Sequence, residues 1–486
     1  MDISRVSFDP SKHYSRLIHQ QGRVTLDADA NEQTQVLLHY LRTVVADVLG
    51  PTARPESAPG FDVSRVPDDP DADLLIGPGR LYVDGLLVES GEETTYLGQP
   101  EGYVDPDRGA VPDGPFGVYL RAWEREITAI QDPSIREVAL GATGPDTAAR
   151  AKVVWQVALH PYGNDDPGSS GAADALRTWL ARLHGPKGRM AARTGDDRTG
   201  PAEPCVIAPE ARYRGPENQL YRVQIHTSGV GARPGDDHTH LHPVPAARKR
   251  GAAARGKAAE PDTATFVWSR ENASVAFPVA RVAGPVVTLE SWGRDGSLGL
   301  DVGDWVELLD DATAVRAADD LPTAPAPRIH RITALDVAGR TVTLDADPND
   351  AAPGAEPPAP AVTGDPELHP YLRRWDHRPP PGADALPVVL DTWIPLEDGV
   401  EVRFSAPPAP DDLPKKAAHK PPRFRRGDHW LVPARTVSGD VLWPQDPEGP
   451  AAVEPHGVVY RYAPLAYVPA QGDPVPLVPV FTPLFP

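Results

Sequence analysis

Three histidines stand at alternate positions in "DDHTHLH" (236–242): His238, His240 and His242. In a strand all three imidazoles would face one side, where they could hold zinc, nickel or copper. No second ligand set accompanies them, and short histidine tracts are poor evidence of metal. The favoured reading is an exposed polar loop, with these three as the metal candidates to test. Cys205 is the single cysteine, which excludes an intrachain disulfide and a thiolate cluster within one chain. It has no His or Asn companion in a recognisable order, so a thiol nucleophile is not expected.

"WEREI" (123–127) sets Glu124 and Glu126 on one face of a strand. Paired carboxylates could do glycosidase-type acid/base work, but such pairs normally come from different strands across a cleft. Alternating charge on a half-exposed strand explains them better. "WSREN" (268–272) would put Trp268, Arg270 and Asn272 on one face, with Glu271 opposite. Trp and Arg are frequent interface anchors, so Trp123, Trp268 and Arg270 are interaction candidates. Core packing of Trp268 is the competing reading. Arg248, Lys249, Arg250, Arg255 and Lys257 form a basic cluster without interleaved aromatics, which reads as a solvated loop. The chain has no G-x-S-x-G, phosphate loop, dinucleotide fingerprint or H-E-x-x-H. The expectation is therefore a protein that is not an enzyme and needs no cofactor.

The chain has 486 residues, 40% of them apolar, enough for two to four domains of roughly 100–200 residues. Its 59 prolines are about 12% of the total, against about 5% on average. Proline fixes φ and removes a donor, so strands joined by Pro/Gly loops fit better than long helices. A net charge of −20 disfavours adhesion to nucleic acid or anionic membrane. No run approaches the ~20 apolar residues of a membrane span. "MDISRVSFDP" lacks a basic region followed by an apolar core, so Sec export is not expected and a cytoplasmic location is.

One segment does read as a long helix. Val36, Leu37, Tyr40, Leu41, Val44, Val45, Val48 and Leu49 recur at helical spacing until Gly50-Pro51 stops the run. Asp27 or Asp29 can cap its start. Before it, "GRVTLDAD" alternates like a short strand and Phe8-Asp9-Pro10 reads as a turn. Beyond it strands dominate. "LYVDGLLV" (81–88) is a hairpin about Asp84-Gly85. Strands are expected at 117–130, 151–161, 218–227, 264–279, 400–405, 428–436 and 457–468, with a short helix at 173–184. Four short strands at 286–291, 303–311, 328–337 and 340–347 suggest a small closed barrel. Proline-rich tracts at 347–367 and 405–422 read as linkers, and the tail 474–486 as extended across a partner or the chain itself.

The opening "FDPSKHYSRLIHQQGRVTLDADANEQ" (8–33) resembles an uncharacterised bacterial family with an N-terminal F-D-P…H-Y…Q-Q-G-R-V…L-D-A-D-x-N-E-Q signature. The likeness continues in "VYLRAWEREITAIQDPSIREVALGATGPDTAARAKVVWQV" (118–157), "TFVWSRENASVAFPV" (265–279), "HPYLRRWD" (369–376) and "GDHWLVPART" (427–436). It departs at Ala30, where the signature usually has Trp. Such proteins are associated with phage-tail-like contractile injection systems. That implies a structural part of the baseplate, spike or fibre region, with other particle proteins and copies of itself as partners. No catalytic residue comes with the resemblance. It marks Phe8, His13, Tyr14, Gln21, Arg23, Asp27, Asp29 and Asn31 as interaction residues.

The expected fold is mainly β and multidomain, with small β-barrel or β-sandwich domains, one long N-terminal helix, extended Pro-rich loops and a C-terminal tail. The expected division is an arm and helix (1–60), a β domain (61–165), a β domain with long insertions (166–282), a small barrel (283–348) and a C-terminal β region (349–486). The expected function is docking within a particle that assembles in the cytoplasm. The alternatives are a glycan-binding module using Trp123, Trp268 and Trp292, and a hydrolase hidden in the β fold.

Overall fold

A computed structural model describes residues 4–67, 73–103, 111–141, 146–183, 187–195, 212–233, 263–293, 298–316, 326–350, 361–406 and 423–482. The protein is mainly β, in several small sheets, with one long helix near the N-terminus. The chain divides into two compact units.

The terminal unit is made from both ends of the chain: Ser4–Ala129, Ser134–Gly185 and Val458–Pro486. Its longest element is the antiparallel pair Phe116–Ile127 and Arg150–Pro161, joined on the other side by Arg461–Val468. Residues of alternate parity on the first strand serve different cores, because side chains in a strand alternate between faces. Phe116, Val118, Leu120 and Ala122 enter a core with Leu81, Val83, Val88 and Leu465. Tyr119 packs instead with Leu176 and Leu180 of a helix at Gly168–Leu183, which covers the other face. That helix starts earlier than the expected 173–184. The hairpin at Asp84-Gly85 forms as read, between Gly79–Val83 and Leu86–Ser90. Asp84 and Gly85 both have positive φ, as a type I′ turn requires.

The C-terminal tail lies on its own unit. Val475–Pro476 pairs with Ala466–Tyr467, and Val480–Phe481 runs parallel to Thr52–Pro55. The alternation in "GRVTLDAD" does not make a strand: Val24 is 85% exposed and no ladder includes it. Alternation favours a strand only where a neighbouring backbone supplies the hydrogen bonds.

The central unit holds Ile130–Pro133 and Pro186–Gly457. A five-stranded sheet (Leu386–Pro387, Thr265–Ser269, Gln219–Thr227, His429–Arg435, Asp440–Val441) and a three-stranded sheet (Trp393–Pro395, Val400–Ser405, Arg189–Thr194) share one core, as in a sandwich. Tyr221, Phe266 and Trp430 from the first meet Met190, Val402 and Phe404 from the second. A closed six-stranded barrel follows, with its own core of Phe277, Val287, Leu308, Ile332 and Leu372. It uses the four strands read from the sequence and two more, Ala276–Ala283 and Tyr371–Trp375.

"WSREN" does not continue as a strand through 264–279. The sandwich strand ends at Ser269, and Asn272 and Ala273 adopt φ of 50° and 53°. This left-handed pair turns the chain out of the sandwich and into the first barrel strand. The proline-rich tracts fall largely outside the described residues.

Candidate docking surface

The N-terminal helix, here α1, spans Asp27–Leu49. Leu26 is its N-cap, and Asp29 Oδ2 accepts the Leu26 backbone N–H at 3.5 Å. The capping carboxylate thus reaches back from inside the first turn, and Asp27 and Asp29 both favour the positive end of the helix dipole. Gly50, at φ 80°, closes the other end by donating to the Ala46 carbonyl at 2.8 Å.

One side of α1 is held by its own chain. Ala28 and Val36 are buried. Arg42 Nη2 meets Glu124 Oε1 at 2.7 Å. At Gly85 a Cβ would fall 2.2 Å from the Arg42 carbonyl oxygen, so the hairpin turn and helix touch through bare backbone. Phe8, Gln35, His39, Arg42, Ala46, Asp84 and Arg461 line a crevice of about 350 Å³. Burial and the nearby Arg42 lower the Arg461 pKa, while Glu124 and Asp84 oppose that shift.

The segment before α1 runs along it as an arm. Asn31 Nδ2 donates to Ser4 Oγ at 3.0 Å, and Leu17 N–H donates to Gln33 Oε1 at 2.8 Å. Between these anchors the Phe8 ring lies 5.6 Å from that of His39. Asp9 caps the short 3-10 turn Pro10–Lys12 through Ser11 N–H at 3.0 Å, and His13 ends it at φ 56°. The bonds from Ser11 hold the Asp9 carboxyl below the usual range.

The opposite side of α1 faces solvent and is apolar. Leu37, Tyr40, Leu41, Val44 and Val48 are 58%, 71%, 57%, 41% and 74% exposed. At 3.6 residues per turn these five fall within an arc of about 100°, the width of a core-facing stripe. Ala30 lies on the same stripe and is also exposed. Tyr14, Ile18, Val24 and Leu26 of the arm are exposed as well. The helical spacing was legible in the sequence. Which half of it would be covered was not, since Val36 turns inward and Leu37 outward.

Of the signature residues, Phe8, Asp29 and Asn31 make the arm and helix one piece, and Asp27 opens the first turn. His13 ends the 3-10 turn, while Tyr14, Gln21 and Arg23 are exposed on the arm. Gln33, the last signature residue, is a tether that the site reading missed although it stands in the quoted motif.

The two tryptophans are corrected. Trp123 is 2% exposed, 5.3 Å from the Tyr460 ring with Arg121 over its face. Trp268 is 3% exposed beside Tyr221. Both are core residues and present no face to a partner, which removes two of the three aromatics behind the glycan reading. Arg270 is a staple within the central unit: its Nε and Nη2 donate to the two Glu397 carboxylate oxygens at 2.9 and 2.8 Å. Glu397 is 127 residues away, so no local pattern could reveal the pair. His238, His240 and His242, Cys205 and the basic cluster at 248–257 lie outside the described residues. Among the described residues no group of three His, Cys, Asp or Glu side chains is placed to hold a metal ion, and no helix is long and apolar enough to cross a membrane.

A family model described as "Family of unknown function (DUF6519)" matches residues 1–184 and 189–474. No curated protein and no solved structure matches.

Proposed function

The chain belongs to this family of unknown function, and we propose that it is a structural component of a phage-tail-like contractile injection particle, acting by protein–protein docking. The observation that carries the docking role is the apolar stripe of α1. A helix of 23 residues buries only Ala28 and Val36 while five large apolar side chains on one stripe meet water. Contiguous apolar surface of this kind marks an interaction site. The anchors Asn31–Ser4 and Gln33–Leu17, with the Arg42–Glu124 pair, present that stripe on a preorganised element, which lowers the ordering cost of binding.

The assignment to a particle, in or near its baseplate, spike or fibre region, draws on the resemblance of the opening signature. Assembly in the cytoplasm and departure with the particle are part of the same proposal. The test is recovery of the chain at native levels from its own host, with mass spectrometry of what accompanies it. Sheath, tube or baseplate proteins are the expected companions. Isolated particles that lack this chain would overturn the reading.

A further inference from the structure

We infer that the α1 stripe is the seat of the N-terminal arm of a second copy of this chain, exchanged reciprocally in a two-fold pair. The inference rests on the docking role proposed above and names the partner.

Two apolar surfaces that follow one another in sequence are both uncovered. The arm exposes Tyr14, Ile18 and Val24 at 61%, 73% and 85%, and α1 exposes its stripe from Leu37 to Val48. The chain's own arm does not cover its own stripe. It is tied down at Asn31 and Gln33, and that path leaves both sets of side chains in solvent.

Their charges are opposite. Arm residues 4–26 carry four basic residues (Arg5, Lys12, Arg16, Arg23) against Asp9, a net of +3. Residues 27–49 of α1 carry four acidic residues (Asp27, Asp29, Glu32, Asp47) against Arg42, a net of −3. Arg42 is engaged by Glu124, so the acidic groups dominate the field beside the stripe. With −20 on each chain, two copies repel one another overall. The basic arm is the element whose sign permits close approach, and α1 is an acidic, apolar surface of opposite charge.

A two-fold arrangement uses each set twice, because an isologous contact sets the arm of one copy on the stripe of the other and the reverse. The exposed parts of sixteen apolar side chains then leave water together. That is on the order of 1,000 Å², the lower bound for a specific interface. One arm on an unrelated acidic protein would bury half as much.

The measurement is the native mass of the full chain at low and high salt. A dimer is expected, with affinity falling at least about tenfold as salt rises, since exposed opposite charges are screened. Leu41→Glu should yield monomer. Arg16→Glu with Arg23→Glu should weaken the pair, as should Asp27→Lys with Asp47→Lys. Mixing these two charge-reversed chains should restore it, because the acidic arm of one then meets the basic helix of the other and the basic arm meets the acidic helix. Both reversals in one chain should restore it. Circular dichroism confirms that the variants fold. A monomer at every salt concentration, or a dimer indifferent to both reversals, overturns the inference. The two readings separate cleanly. A monomer recovered with particle proteins removes only the exchange, and a salt-sensitive dimer recovered without them removes only the particle.

Discussion

Arg42 of α1 and Glu124 of the long strand Phe116–Ile127 meet at 2.7 Å, 82 residues apart in sequence. This pair and the Gly85 contact fix which side of α1 turns inward, and so leave Leu37, Tyr40, Leu41, Val44 and Val48 as an outward stripe.

Removing either partner of that pair should loosen the helix. The side chains are 21% and 32% exposed, between the surface and buried cases, so Arg42→Ala or Glu124→Ala should cost about 1 kcal/mol. A double-mutant cycle by urea denaturation reads the coupling. A coupling of zero would show that backbone packing alone seats α1.

Gly85→Ala should cost more, about 2 kcal/mol. It sets a Cβ 2.2 Å from the Arg42 carbonyl and places a side chain at φ 76°. Loss of amide protection in α1, with the core strands still protected, is the expected hydrogen-exchange result. Unchanged protection in α1 would refute the close approach.

Ala30 offers a gain instead. It is exposed on the stripe, so Ala30→Trp should leave stability within about 0.5 kcal/mol. Docking should tighten by about tenfold as apolar surface is added. A binding or self-association titration checks it. No gain would place Ala30 outside the contact.

Arg270 is expected to be structural. Its guanidinium is 36% exposed and holds both oxygens of Glu397, whose carboxyl burial raises and Arg270 lowers. After allowance for screening at that exposure, Arg270→Ala should cost about 2 kcal/mol, and Lys should recover part of it, lacking the bidentate fork. Thermal denaturation decides. A variant as stable as the parent would mean that solvent replaces the staple.

Acid should destabilise the central unit before carboxylate chemistry dominates. Burial lowers His226 and His377 to about 4, so the folded protein keeps both imidazoles neutral. The unfolded chain binds protons near the usual pKa of about 6.5. Stability is therefore fully present above that value and falls between it and about 4, by up to about 1.4 kcal/mol per pH unit per histidine. Glu271 and Glu397, raised by burial, take up protons first in the folded state and offset part of the slope at its acid end. Urea denaturation across that window should show a shallower slope for His377→Gln than for the parent. An equal slope would assign the loss to other groups.

Much of the architecture could be read directly. The Asp84-Gly85 hairpin, the strands at Phe116–Ile127 and Arg150–Pro161, the four barrel strands and the stop of α1 at Gly50-Pro51 all follow from local pattern and turn chemistry. The misreadings share one cause. "GRVTLDAD" has strand alternation but no partner backbone, and "WSREN" leaves the strand after Ser269 because the chain must turn at Asn272 and Ala273 from sandwich to barrel. Trp123 and Trp268 have the residue type of an interface anchor, yet both are covered by distant rings.

The sequence by itself determined the mainly β class, the long N-terminal helix and the charge contrast between arm, helix and whole chain. Those properties are sums or short-range periodicities, set by neighbours within a few residues. Only the tertiary structure decided which side of α1 is free, that the tail returns to Thr52–Pro55, and that Arg270 is bound to Glu397. Each depends on burial and pairing across many tens of residues or more. In such contacts the decisive energy belongs to the partner as much as to the residue, and no local window contains both.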